Sequence, residues 1–463
     1  MGPASTASKE VLEEMIKSGV NVCRLNFSHG SHEDHARTIE MVRAINEKIG
    51  SNVSLLADLQ GPKIRIGDME DGGVEIIEGS EIVFSTEKCV GNAEKVHIVY
   101  EDFARDVEVG ELIKVDDGKL HLEVTATNGE NEVKAKVLHG GMLSSKKGVN
   151  LPNTQVSSPS LTEKDRLDLE FALEQEVDWV GLSFVRTARD IIELKHIIAN
   201  RKSHAKVIAK IEKPEAIEDI EYIVKETDAV MIARGDLGVE VPMEKVPTIQ
   251  KRIIKMCRSF AKPTIVATQM MESMITNITP TRAEVNDVAN AVLDGTDAVM
   301  LSGETSVGEF PIECIKAMSK IIEEVEKESS IYNKEELPEK NQERFITDSV
   351  CFNATRLSNR VEASGIVTMT FSGYTAYKIS SQRPKSSIFV FTENRRILTQ
   401  LNLVWGTRCF FYDKMVSTEH TISDCLYILQ KNGYLDKGDY VINIASVPIE
   451  AKGKSNMMKL SQV

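Results

Sequence analysis

The sequence predicts an α/β protein: a (β/α)8 TIM barrel, a small β-barrel lid domain inserted in it, and a C-terminal α/β domain with an open parallel sheet. Three observations predict this. Short, nearly continuous apolar runs recur, each followed by a segment with apolar residues at i, i+3 and i+4 spacing, which is how parallel strands covered by helices read. Residues 63–150 have another texture, with short alternating runs and tight-turn pairs. After a polar linker, "YNKEELPEKNQE", the strand–helix alternation resumes.

The strands come in order. The first two are "NVCRLNFS" at 21–28 and "NVSLLAD" at 52–58. Five more follow the β insertion: "WVGLSF" (179–184), "KVIAKIE" (206–212), "AVMIARGD" (229–236), "TIVATQ" (264–269) and "AVMLSGE" (298–304). Helices are expected between them, as in "TARDIIELKHIIANRK" and "PEAIEDIEYIVKET". Seven strands are counted where a closed barrel needs eight. The opening "GPAS" reads as the loop after a strand, with a helix from about Thr6 to Ser18 and Ser8 as its N-cap, so the missing strand is expected at the N-terminal side.

The insertion reads as antiparallel hairpins, with turns at Asp117-Gly118 and Asn128-Gly129. Gly61-Pro62 leads into it, at the face where a lid sits over a barrel. The expected bounds are 1–62 and 159–335 for the barrel, 63–158 for the lid and 336–463 for the C-terminal domain.

Composition narrows the function. At 463 residues, with 41% hydrophobic and 27% charged side chains, the chain can bury several cores. Aromatics are 5%, too sparse for a base-stacking surface, and a net charge of −14 repels nucleic acid and anionic lipid. Any anion must be held by local basic groups. The seven cysteines stand singly, with no C-x-x-C pair, which reads as reduced thiols. With no charged-then-apolar leader and no long apolar run, a cytoplasmic protein is expected. The G-K-S at 453–455 has Pro448 where a phosphate-binding P-loop needs glycine.

Polar residues gather at the ends of the strands: Arg24, Asn26 and Ser28, then Asp58, Lys210 with Glu212, Asp236, Thr268 and Glu304. In a barrel these fall on one rim, where active sites are built. In "KIEKPEAI", alternation puts Lys210 and Glu212 on one face of a strand. Two carboxylates, Glu212 and Asp236, suit Mg²⁺ or Mn²⁺ completed by substrate oxygens and water. In "ARGDLGVEVP", glycines at a strand-to-helix turn let backbone N–H groups approach a carboxylate. A lysine–glutamate ion pair and an ordinary turn explain the same two strings.

The stretches "GPAS", "NVCRLNFSHGSHEDH", "DLQGPKIR", "KKGVNLP", "KIEKPEAI", "MIARGDLGVE", "ATQMMESM" and "PTRAEVNDVANAVLDGTDAVMLSGETSVGEFP" resemble the ordered signatures of pyruvate kinase along the whole chain. The resemblance implies phosphoryl transfer from phosphoenolpyruvate to ADP, giving pyruvate and ATP, and usually a homotetramer. It implies that Arg24 and Lys210 contact the transferring phosphoryl group, and that Lys210 stabilises the enolate. Glu212 and Asp236 would hold the divalent ion, and Gly235 N–H and Thr268 the substrate carboxylate, with Thr268 near the proton delivered to carbon. Asn26, Arg65 and Lys147 resemble nucleotide-phosphate contacts. Many members need K⁺ at positions matching Asn26, Ser28, Asp58 and a threonine, with a glutamate after Gly-Pro. Here Leu59 and Lys63 stand at the last two, as in the K⁺-independent branch, so the Lys63 ammonium is expected near Asp58 in place of K⁺. In the C-terminal domain, "TFSGYTAYKISSQRP" resembles an effector phosphate loop, with Thr370, Ser372, Gly373, Tyr374 and Thr375 donating to a sugar phosphate or nucleotide. Two alternatives stand beside this reading: a barrel lyase or aldolase acting on a pyruvate enolate, and a catalytically weakened effector-binding scaffold.

Overall fold

A computed structural model describes residues 1–340, 343–414, 417–447 and 455–463. Pro448 and Gly453 of the P-loop comparison, and two residues of the linker, lie outside them.

Seven strands form one wholly parallel sheet in sequence order: β1 Val22–Asn26, β2 Ser54–Asp58, β3 Trp179–Leu182, β4 Lys206–Ile211, β5 Ala229–Ala233, β6 Thr264–Ala267 and β7 Ala298–Val299. β2 to β6 are buried at every position but Lys206, which opens β4, because helices cover one face and the barrel interior the other. Leu56, Trp179, Ile208, Met231 and Ile265 fill the interior. A larger apolar layer, including Leu25, Val180, Ile211 and Val266, packs under the helices. β1 and β7 are the sheet's two edges, and a cavity of about 340 Å³ is lined by both, through Val22, Arg24, Ala298 and Val299.

The first helix is Lys9–Lys17, with the Ser8 hydroxyl accepting from Val11 N. Two strands end earlier than their apolar runs suggest. Arg234, Gly235 and Asp236 already belong to a short helix, Arg234–Glu240. β7 has two residues, and Gly303–Ser306 is a helical turn.

The insertion has its own core around Phe84, Phe103, Leu122 and Val133. Both expected turns are present. Asp116, Asp117 and Gly118 have positive φ between Leu112–Val115 and Leu120–Thr127, and Gly129 does so before Glu132–His139. The expectation of purely antiparallel pairing needs correction, since Glu81–Ser85 runs parallel to Lys95–His97. The open parallel sheet expected at the C-terminus is also corrected. Four strands are parallel, but Met457–Gln462 adds antiparallel to Tyr440–Ala445 at one edge. Apolar clusters lie on both faces of this sheet. Among the described residues, no helix is long and apolar enough to cross a membrane.

Candidate active site

The rim of β1 to β6 brings the strand-end residues together. Asn26 and Asp58 are Cα partners where β1 and β2 end. Asp58 is buried, and Arg24 Nε donates to its Oδ2 at 2.5 Å. Lys210 Nζ lies 3.1 Å from Asp58 Oδ1 and 3.0 Å from Glu212 Oε1, so one ammonium bridges two carboxylates. It also donates to Ser183 Oγ at 2.6 Å, and Ser183 Oγ donates to the Leu59 carbonyl at 2.7 Å. Glu212 Oε2 accepts from Phe184 N at 2.7 Å.

Burial and charge oppose each other here. Burial alone disfavours the Lys210 ammonium, but Asp58 and Glu212 outweigh it and raise its pKa, so it stays protonated. Burial pushes Asp58 up, and Lys210 and Arg24 reverse this, leaving it below the usual carboxylate range. Glu212 is raised, first by burial and then by the Asp236 charge, against the pull of Lys210. Two carboxylates close enough to repel, one buried and one reaching the helix start, form a donor set that gains from a hard cation.

Beside them, Gly235 N donates to Thr268 Oγ1 at 2.7 Å, and Thr268 Oγ1 donates to the Ala267 carbonyl at 2.6 Å. Thr268 has φ +70°, an uncommon conformation for a β-branched residue. Arg234 braces it, donating to the Thr268 carbonyl at 2.8 Å and pairing with Asp287 at 2.7 Å.

Gly61 is the root of the lid. It has φ +70°, and its N–H donates to Asp165 at 3.1 Å. A Cβ there would lie 2.8 Å from Phe184 Cδ2 and 2.9 Å from Ser183 Cβ. Only glycine fits both the backbone and the space.

One expectation is corrected. Lys63 does not reach Asp58, whose cations are Arg24 and Lys210. Lys63 Nζ lies 3.4 Å from Asp236 Oδ1, because the chain turns at Gly61-Pro62 toward the helix Arg234–Glu240. Ser28 N donates to Asn26 Oδ1 at 3.2 Å. Arg65 and Lys147 are on the lid, where Arg65 donates to the Lys146 carbonyl and Lys147 pairs with Asp116 at 2.8 Å. Ser183, Phe184 and Arg234 were not singled out by sequence reasoning, although Ser183 ends an apolar run as Thr268 does.

The C-terminal loop stands apart. Its hydroxyls are engaged within the protein: Thr370 Oγ1 accepts from Gly373 N at 3.0 Å, Tyr374 donates to Asp348 at 2.7 Å, and Thr375 bonds Ser455 at 3.2 Å. Gly373 has φ +81° and caps the helix Tyr374–Ser381. Ser372 is exposed.

The model of the pyruvate kinase barrel domain matches residues 1–315, and that of the pyruvate kinase alpha/beta domain matches 348–461. The chain belongs to the pyruvate kinase family. It is 41% identical over 464 aligned positions to a pyruvate kinase of Geobacillus stearothermophilus, an alignment covering 99% of this chain and 78% of the relative. It is 40% identical to one from Staphylococcus aureus, covering 100% and 79%. A crystal structure of a pyruvate kinase from Cryptosporidium parvum superposes with a TM-score of 0.92 at 33% identity, covering 100% of this chain and 94% of that one. The reaction follows: the phosphoryl group of phosphoenolpyruvate moves to ADP, giving pyruvate and ATP. The family generally uses Mg²⁺.

Proposed function

We propose that phosphoryl transfer is carried out by the rim residues of β1 to β6, with Lys210 at its centre. The supporting observation is the Lys210 ammonium, buried and held protonated between Asp58 and Glu212. Arg24 and Lys210 contact the transferring phosphoryl group. A terminal phosphate oxygen of ADP attacks phosphorus, the bond from phosphorus to the enol oxygen breaks, and the electron pair stays on that oxygen. Lys210 stabilises the resulting enolate through charge fixed before reaction. Gly235 N–H and Thr268 hold the carboxylate, and a proton arriving near Thr268 converts the enolate carbon to the methyl of pyruvate. Glu212 and Asp236 would hold Mg²⁺ or Mn²⁺, which would supply positive charge against the negative charge that develops in the transfer. Asn26, Arg65 and Lys147 contact nucleotide phosphates as the lid, hinged at Gly61-Pro62, excludes water.

K⁺ is not required in this reading. Lys63 brings a tethered positive charge to the carboxylate cluster, at Asp236, and Leu59, next to Asp58, has no side-chain oxygen to offer a cation. We extend the proposal to a homotetramer in the cytoplasm, to domain bounds of 1–62 with 159–335, 63–158 and 336–463, and to a phosphate-bearing effector at residues 370–375. The test is an assay of pyruvate formation from phosphoenolpyruvate, ADP and Mg²⁺. Activity is expected in the wild-type chain and lost in Lys210→Met; full activity in that variant overturns the role of Lys210.

A further inference from the structure

The short helix Arg234–Glu240 carries Gly235 and Asp236 at one end and Val239 and Glu240 at the other, seven residues or about 10 Å long. The far end is tied to the lid. Lys114 Nζ donates to the Val239 carbonyl at 2.6 Å, and Asn150 Nδ2 donates to Glu240 Oε1 at 2.8 Å. Lys114 and Asn150 are Cα partners across two paired strands, so the lid presents them as one unit. The same Glu240 Oε1 lies 3.0 Å from Lys213 Nζ, and Lys213 directly follows Glu212. Glu240 is 5% exposed, and its Oε2 is buried with no hydrogen-bond partner. A buried carboxylate held through one oxygen depends on each donor it has.

We propose that Glu240 is a positioning residue that couples docking of the lid to the spacing of Glu212 and Asp236. It touches neither carboxylate. When the lid lifts, Asn150 and Lys114 leave together, and Glu240 keeps only Lys213. The helix that carries Asp236 then loses its ties to the lid, and the Glu240–Lys213 pair that links it to the residue after Glu212 loses the support of Asn150 on the same oxygen. Docking of the lid brings the two carboxylates into register, and a cation bound between them favours the docked lid by reciprocity. The inference rests on reading Glu212 and Asp236 as the divalent-cation pair.

The test measures Mn²⁺ binding to the full chain without substrates, together with proteolysis at the lid root. Asn150→Ala removes a lid residue whose side chain bonds Glu240. It is expected to weaken Mn²⁺ binding about tenfold while the barrel stays folded, the size typical of a lost support behind a metal ligand. Glu240→Ala, which removes the shared acceptor, is expected to do the same, and the double variant to be no worse than Glu240→Ala alone. Mn²⁺ is expected to slow cleavage at the lid root in the wild type and not in Glu240→Ala. Unchanged Mn²⁺ affinity in Asn150→Ala, or equal protection by Mn²⁺ in wild type and Glu240→Ala, overturns the coupling. If Asn150→Ala does not fold, Lys114→Met carries the same affinity test from the other lid contact. Glu212→Gln is the control. If it keeps Mn²⁺ affinity, the cation-pair reading fails; if it loses Mn²⁺ while Asn150→Ala does not, only the coupling fails.

Discussion

Two strand ends of this molecule look alike in sequence and differ in what they leave free. At the end of β4, Lys210 and Glu212 stand on a buried strand before a helix. At 370–375, Thr370, Ser372 and Thr375 stand on a buried strand's end before a helix. The first cluster keeps one repulsion unrelieved: Lys210 is balanced between Asp58 and Glu212, but a raised Glu212 stands beside the Asp236 charge. The second spends the hydroxyls of Thr370, Tyr374 and Thr375 on its own turn and on Asp348 and Ser455, and leaves Ser372 exposed. A polar strand end is therefore a site to the extent that its groups remain in electrostatic conflict without a ligand.

The comparison breaks first at Lys210. Lys210→Met is expected to lower kcat about 10³-fold, the scale for losing one preorganised electrostatic contact, measured with phosphoenolpyruvate and ADP saturating. A small loss would place the rim in the same class as the C-terminal loop. Next is Ser183→Ala, which removes the hydroxyl under Lys210. A fall in kcat of about tenfold is expected, since a hydrogen bond to a charged group contributes about 1.5 kcal/mol, with the KM for ADP unchanged. Lys63→Glu reverses the charge beside Asp236, and activity is expected to become K⁺-dependent, while the wild type is expected to work in K⁺-free buffer. Equal rates with and without K⁺ in that variant would remove Lys63 from the cation role.

The pH dependence of stability sharpens the contrast further. The folded pKa of Asp58 is lowered from 3.8, so its stabilisation is fully present above that value and is lost as pH falls through the lower folded one. Thermal melts at falling pH are expected to show this loss in the wild type and not in Asp58→Asn. The smallest effect belongs to the loop. Thr370→Val removes the acceptor for Gly373 N and is expected to cost about 1 kcal/mol, as other lost turn caps do, read from a thermal melt. A larger difference in the presence of inorganic phosphate would show a working anion site there.

The rim was legible because parallel strands announce themselves as apolar runs, and a charge ending such a run has to face the barrel mouth. Lys210, Glu212, Asp236 and Thr268 were found that way, and the structure brings Lys210 to Glu212 and Gly235 to Thr268. Partners were less legible than positions. Lys63 directly follows the Gly61-Pro62 turn, and nothing in the string says whether the chain then bends toward Asp58 or Asp236. Ser183 was missed because a hydroxyl ending a strand reads as a turn until the lysine it supports is beside it. Met457–Gln462 alternates partly buried and exposed positions as an edge strand does, but strand direction depends on a connection whose course local pattern does not reveal.

Gly61 ties two places usually treated as separate. A side chain there meets Ser183 and Phe184, the residue beneath Lys210 and the backbone donor to Glu212. Residue 61 thus cannot be exchanged as part of a movable cover alone. Anyone transplanting a foreign lid onto this barrel must carry the glycine across with it, or the first casualty will be the alignment of the lysine underneath rather than the swing of the lid.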